Sequence, residues 1–268
     1  MAQNPNTQVN PSSALFTAIS CSAGSNGTYI TGIQVGYLNL ATGVNNIVLK
    51  RNLINGTGSA TSQLYLLGNN ANVLIIQNYI VGNQNGNYAP IWLVAGCSNV
   101  TIANNFIQGT SSSGYVLLEV DAGASAVVTN NVLWGTAANQ YITLNNSTFN
   151  NNILNVNGPI NGVNNSENNN FSMNANLDTT GGNAHHNHIN IPEATIFVNT
   201  GSYDGSLKLK AGSPAIGAGY SGEDCGMFGG SDPYVLSGMP TVPAIYSFSA
   251  PTSGSGTLPV QVKIMSHK

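Results

Sequence analysis

Glu119 and Asp121 form the one close carboxylate pair in the regular part of the chain, at the end of Tyr115-Val-Leu-Leu-Glu-Val-Asp121. Residues two apart on an extended segment project to the same side, so both carboxylates would face one ligand. Such a pair could work as general acid and base, or bind Ca²⁺ together with backbone oxygens. The plain alternative is a solvated strand end. Lys50 and Arg51 are adjacent cations that could neutralise a uronate, and Lys50 could act as a base. His185, His186 and His188 lie in Gly181-Gly-Asn-Ala-His-His-Asn-His188, with Asp178 upstream. That spacing could hold a transition metal, although a mobile polar surface loop is the simpler reading. The chain shows no Ser/His/Asp constellation, no Gly-rich phosphate loop and no Cys-x-x-Cys pair.

What must position these residues is a repeat. Asn99-Val-Thr-Ile-Ala-Asn-Asn-Phe-Ile-Gln-Gly109 recurs as Asn46-Ile-Val-Leu-Lys-Arg-Asn-Leu-Ile-Asn-Gly56, as Asn72-Val-Leu-Ile-Ile-Gln-Asn-Tyr-Ile-Val-Gly82 and as Ser125-Ala-Val-Val-Thr-Asn-Asn-Val-Leu-Trp-Gly135. Looser copies begin at Asn146 and Asn164. Each copy alternates apolar residues, places an Asn three residues after the second of them, and closes on a β-branched or aromatic pair. The fixed Asn falls at Asn52, Asn78, Asn105, Asn131, Asn152 and Asn170, at spacings of 26, 27, 26, 21 and 18 residues. Upstream of each motif runs a second short apolar segment, such as Gln63-Leu-Tyr-Leu-Leu67, Pro90-Ile-Trp-Leu-Val94 and Gln140-Tyr-Ile-Thr-Leu144. These segments have strand chemistry and are bounded by Gly, Asn and Ser. Strands that return at this period without helices between them pair in parallel if the chain coils, each coil advancing about 4.8 Å. Stacking then points Val100 and Ile102 inward, over Val73 and Ile75 and beneath Ala126 and Val128. The Asn column supplies a donor and an acceptor to the turn backbone of neighbouring coils.

On these motifs the chain resembles the right-handed parallel β-helix superfamily, the pectate-lyase-like fold with its asparagine ladder, and in particular its secreted bacterial repeat proteins. The copies cover roughly residues 46–175. Leu207-Lys-Leu-Lys-Ala-Gly-Ser-Pro-Ala-Ile-Gly-Ala-Gly219 and Asp224-Cys-Gly-Met-Phe228 resemble the last coils of such proteins. The resemblance implies an all-β, right-handed parallel β-helix with an internal Asn ladder. It leaves function open, because the superfamily holds lyases, hydrolases, adhesins and stalks.

Catalytic members place Asp, Glu, Lys, Arg or calcium ligands outward on one strand column. Here one outward column of the motif strand reads Val48, Leu74, Thr101, Val127 and Thr148. The next reads Lys50, Ile76, Ala103, Thr129 and Asn150. A glycoside hydrolase needs two carboxylates about 5–10 Å apart, and these columns supply none. Glu119 and Asp121 lie about three coils from Lys50 and Arg51, roughly 14 Å along the axis, too far to share a site with them. Charged residues are only 6% of the chain, the formal net charge is −3, and no basic patch suggests nucleic acid. No apolar run is long enough to span a membrane as a helix. Cys21, Cys97 and Cys225 are odd in number and far apart, which favours buried free thiols over a disulfide or metal site. Met1-Ala2-Gln3 opens into polar sequence without a signal peptide. Since the resembling proteins are exported, the expectation is a natural parent that extends upstream of Met1 and is secreted or held at the cell surface.

The expected plan is a lead-in over 1–12, a β-helix over 13–239 and a β tail over 240–268. The coils should be regular from about 28 to 155 and irregular from 156 to 239. The leading functional expectation is a surface, structural or glycan-contacting adhesin-like module without catalysis. It needs no cofactor, with Ca²⁺ the ion its carboxylates would take, and its partner is a polysaccharide or a second copy of the chain. The alternatives are a polysaccharide lyase or glycoside hydrolase, whole or as a fragment, and a filament-forming assembly protein. The binding candidates are Glu119, Asp121, Lys50 and Arg51. Past the ladder, alternation sets Leu53, Tyr79, Phe106, Val132, Ile153 and Phe171 on the outside of the coil as one apolar column. A column that large needs a cover. The one-sided strands of the tail, carrying Tyr246 and Phe248 and then Leu258, Val260, Val262 and Ile264, are expected to fold back as a two-stranded unit and supply it.

Overall fold

The computed structural model describes residues 15–56, 62–82, 88–109, 114–177, 184–237, 244–249 and 261–265. The chain is a parallel β-helix. Each coil contributes three short strands, and corresponding strands stack into three faces. The first face holds the second half of Gln34–Leu40, then Leu64–Leu66, Ile91–Leu93, Val116–Val120, Tyr141–Thr143 and Ile160–Asn161. The second holds Tyr29–Thr31, Val48–Lys50, Ala71–Ile76, Ser98–Ala103, Ala126–Thr129, Thr148–Asn150, Ser166–Asn168 and Ala184–His185. The third holds Leu53–Asn55, Tyr79–Val81, Phe106–Gln108, Val132–Trp134, Ile153–Asn155 and Phe171–Ser172. Gln34–Leu40 joins the first and third faces into one folded sheet, and Leu15–Cys21 pairs with it in parallel.

Register follows the sequence repeat. Val100 pairs with Val73 and with Ala126, and Ile102 with Ile75 and with Val128. All six side chains are buried in one internal core. Strands of this length present one or two residues inward each, and stacking turns those into continuous aliphatic columns.

The six ladder asparagines stand inside the turn between the second and third faces, all buried. Asn78 shows the pattern. Its backbone N–H and its Nδ2 both donate to Oδ1 of Asn105, at 2.8 and 3.1 Å, and Nδ2 also donates to the Leu49 carbonyl of the preceding coil. Asn52, Asn105, Asn131, Asn152 and Asn170 repeat it. The column extends one coil beyond the sequence expectation, to Asn187.

Asparagine also supplies most of two turn columns with positive φ, where its short carboxamide tolerates the left-handed region. Asn46, Asn72, Asn99, Asn146 and Asn164 lie where the chain enters the second face. They form an outer amide ladder, with Asn99 donating to Asn72 and Asn72 to Asn46. Arg51, Gln77, Asn104, Asn130, Asn151, Asn169 and His186 immediately precede the ladder residues.

The apolar column on the outer side of the third face is in register from Leu53 through Tyr79, Phe106, Val132 and Ile153 to Phe171, and it is buried. The Tyr79 and Phe106 rings stack at 4.4 Å. The expected cover exists, and among the described residues it comes from a segment upstream of the tail. Residues 191–235 form a strap, with one short helix, Glu193–Ile196, that places Ile196, Phe197, Leu207, Ala215, Cys225, Met227 and Tyr234 in the same cluster as the column. These residues were expected to form closing coils. Gly226 shows how closely the strap approaches. Its φ is +82°, and a Cβ there would stand 2.7 Å from Cδ1 of Ile153. Burial pushes the Cys225 thiol up to about 12, helped by Glu223 and Asp224. All three cysteines are free and buried.

The tail is a separate antiparallel hairpin of Ala244–Ser249 with Gln261–Met265. Val262, assigned to its covering face, is 45% exposed. Leu258 and Val260 lie outside the described residues, as do the side chains of Tyr246, Phe248 and Ile264 and all of the lead-in over 1–12.

Candidate functional site

The four binding candidates separate into two places. Lys50 and Arg51 stand at the margin of the second face where the strap crosses it. Lys50 Nζ lies 2.8 Å from Asp232 Oδ2 of the strap, and Arg51 Nε donates to Oε1 of Gln77. Gln77 Nε2 in turn lies within bonding distance of Oδ1 and the main-chain carbonyl of Asp232 and the carbonyl of Pro233. The same column continues downward. Asn104 donates to the carbonyls of Met227 and Gly229, Asn130 to that of Asp224 and Asn169 to that of Ala218. Lys50 and Arg51 thus belong to a polar seam that anchors the strap. Near the Asp232 end of the strap, buried Asp204 accepts from the backbone N–H groups of Gly205 and Ser237 and from Ser202.

The histidines lie on a further coil rather than in a polar surface loop. Ala184–His185 pairs with Ser166–Asn168, His186 occupies the positive-φ turn position, and His188 stacks on Phe171 at 4.3 Å. Among the described residues no group of three His, Cys, Asp or Glu side chains is placed to hold a metal ion. Asp178 and the His185 side chain lie outside the described residues.

Glu119 and Asp121 come together with aromatic residues that the carboxylate spacing alone does not reveal. Glu119 is in register with Trp92, and Trp92 with Tyr65, on the outer side of the first face. The Tyr65 and Trp92 rings lie 5.0 Å apart, tilted by 31°. Trp92 Nε1–H donates to Asp121 Oδ1 at 3.0 Å, which locks the indole in one orientation. Leu67 and Tyr88 border the group at 39% and 38% exposure. Burial raises the Tyr65 hydroxyl, and Asp121, Glu119 and Tyr88 add to the shift. Burial also raises the Glu119 carboxyl, and Asp121 raises it further. The signal for the aromatics is present in the chain, since Tyr65, Trp92 and Glu119 are each 27 residues apart. It appears only when the period of the ladder motif is carried onto the upstream strand.

The Glu119 shift has a consequence for stability. A carboxyl raised in the folded state stabilises the fold at acid pH, below its unfolded value, and that contribution is lost as pH rises through the folded value. Glu119→Gln is therefore expected to raise the melting temperature slightly at neutral pH and to change nothing near about pH 3, below the ordinary carboxylate range. Melting curves at the two pH values check this, and a lower melting temperature at neutral pH would contradict it.

No family model, curated protein or solved structure matches the chain. Its assignment as a parallel β-helix rests on the strand register and the Asn ladder.

Proposed function

We propose that this protein is a non-catalytic β-helix module, secreted or displayed at the cell surface, that contacts carbohydrate through the outer side of its first face. The observation that carries this reading is the Tyr65–Trp92 pair, in ring contact across adjacent coils and set beside Glu119 and Asp121. Half-exposed aromatic rings offer apolar faces with polar tips, and neighbouring carboxylates accept hydrogen bonds from hydroxyl groups. Trp92 is already oriented by Asp121, so little side-chain freedom is lost when a sugar ring stacks on it. The ladder motif and its resemblance to the pectate-lyase-like superfamily support export as a repeat protein. The outward columns of the motif strand, Val48 to Thr148 and Lys50 to Asn150, carry no paired carboxylates, and Lys50 is occupied by the strap.

A glycan array followed by calorimetry tests the reading. Binding of a glycan by the intact protein is expected, and Trp92→Ala should weaken it at least about tenfold, the loss of roughly 1.4 kcal/mol. Trp92→Phe, which retains a ring, should weaken it less. Failure to bind any glycan, or binding that survives Trp92→Ala, would overturn the proposal. Hydrolysis or elimination of the bound glycan that disappears in Glu119→Gln would replace it with an enzymatic reading.

A further inference from the structure

We infer that the sugar chain taken by this face carries no carboxylates, and that amino sugars bearing a free ammonium group bind it more tightly than neutral sugars. The inference rests on the carbohydrate-contact reading above and adds the charge class of the ligand.

Its first support is the distribution of charge. No Lys or Arg occurs between Arg51 and Lys208. Every coil that builds the Tyr65–Trp92–Glu119 column after Gln34–Leu40 falls within that interval. The cations bordering the interval are engaged elsewhere. Lys50 pairs with Asp232, Arg51 bonds to Gln77, Lys208 lies over the Phe228 ring and Lys210 donates to the Ala194 carbonyl. A uronate stacked on Trp92 would bring its carboxylate beside Glu119 and Asp121, with no cation among the described residues of the face to offset them. Like charges in such proximity act as a filter against the wrong ligand.

A second observation is independent of the carboxylates. Gln63 is fully buried, and neither its Nε2 nor its Oε1 has a hydrogen-bond partner. It sits in the bend that leads into Leu64–Leu66, two residues before Tyr65. In the next coil back, Asn39 is in register with Tyr65, and its buried Oδ1 also lacks a partner. Polar groups buried without partners are uncommon, and each calls for an explanation. A ligand on this face is one, and what the face then asks of it is mostly donors. Oδ1 of Asn39, in register with Tyr65, and the two carboxylates all accept. An ammonium group supplies three donors and a positive charge together.

The test is calorimetric titration of the full chain at low ionic strength with three oligosaccharides of equal length. These are glucosamine units with free amines, the N-acetylated neutral form, and galacturonate. The free-amine oligosaccharide should bind about two- to fivefold more tightly than the neutral one, the range of a partly exposed ion pair, and galacturonate should not bind. Trp92→Ala should lose the free-amine ligand. Glu119→Gln combined with Asp121→Asn should weaken the amine ligand more than the neutral one, so that the ratio of the two affinities falls to about one. Galacturonate binding as tight as the neutral ligand, equal affinity for the amine and neutral forms, or amine binding that survives Trp92→Ala would overturn the inference. Of these, the first two leave the contact reading standing. Absence of binding to all three would overturn both.

Discussion

A chain ended at Asn190 is expected to aggregate and to bind hydrophobic dyes, whereas removal of residues 240–268 alone should leave solution behaviour unchanged. The reason is which segment covers the third face. Leu53, Tyr79, Phe106, Val132, Ile153 and Phe171 are all buried, and the residues that cluster with them come from the strap. Exposing six such side chains at about 1.5–3 kcal/mol each forfeits on the order of 10 kcal/mol. That is comparable with the whole stability of a typical domain. It would also leave a continuous apolar stripe of the kind that drives association. Size-exclusion chromatography with dye binding on the two truncations separates the outcomes. An Asn190-terminated chain that stays monomeric and melts like the full chain would show that the strap is dispensable.

Asn105→Leu is expected to destabilise the protein by about 3–6 kcal/mol. The substitution leaves the Asn78 backbone N–H, one Asn78 Nδ2 hydrogen and the Ile75 carbonyl without their partners. Each orphaned buried group costs about 1–3 kcal/mol. Leucine is close in volume, so the loss is of hydrogen bonds rather than of packing. Asn72→Leu provides the contrast. Asn72 belongs to the outer ladder, is exposed, and has a φ of +57°. Its replacement should cost only about 1–2 kcal/mol, from placing a non-Asn side chain in the left-handed region. Urea denaturation of the two variants measures the difference. Equal losses would mean that the internal ladder holds the coils no better than the exposed one does.

The coils were legible from the chain because each rung repeats the same local demand. Alternation decides which residues face inward, and the turn before the ladder Asn leaves a backbone N–H that only an inward carboxamide can reach. Val100 over Val73 and Asn105 over Asn78 follow from that arithmetic alone. The region from 156 onward was harder to read. There the coil shortens and its apolar residues thin out, so residue type alone does not distinguish Asn187 from the loop asparagines around it, although it continues the ladder. The Tyr65–Trp92–Glu119 column was missed for a different reason. Its strand carries no invariant residue, and chemistry at equal spacing but unlike type does not show as a repeat.

The sequence by itself determined the parallel stacking, the inward columns and the ladder, and it also showed that the outer apolar column must be covered. Only the tertiary structure decided what covers it. The tail offered alternating hydrophobic strands, the pattern that sheet chemistry recognises, yet the covering segment is an irregular strap with one four-residue helix. The polar seam that holds the strap donates largely to main-chain carbonyls, as Asn104 does to Met227 and Gly229 and Asn130 does to Asp224. Every residue carries such a carbonyl, so the seam leaves no mark in residue type. The partner of a column built this way is chosen by where the backbone passes, and Lys50 meets Asp232 across 182 residues of chain.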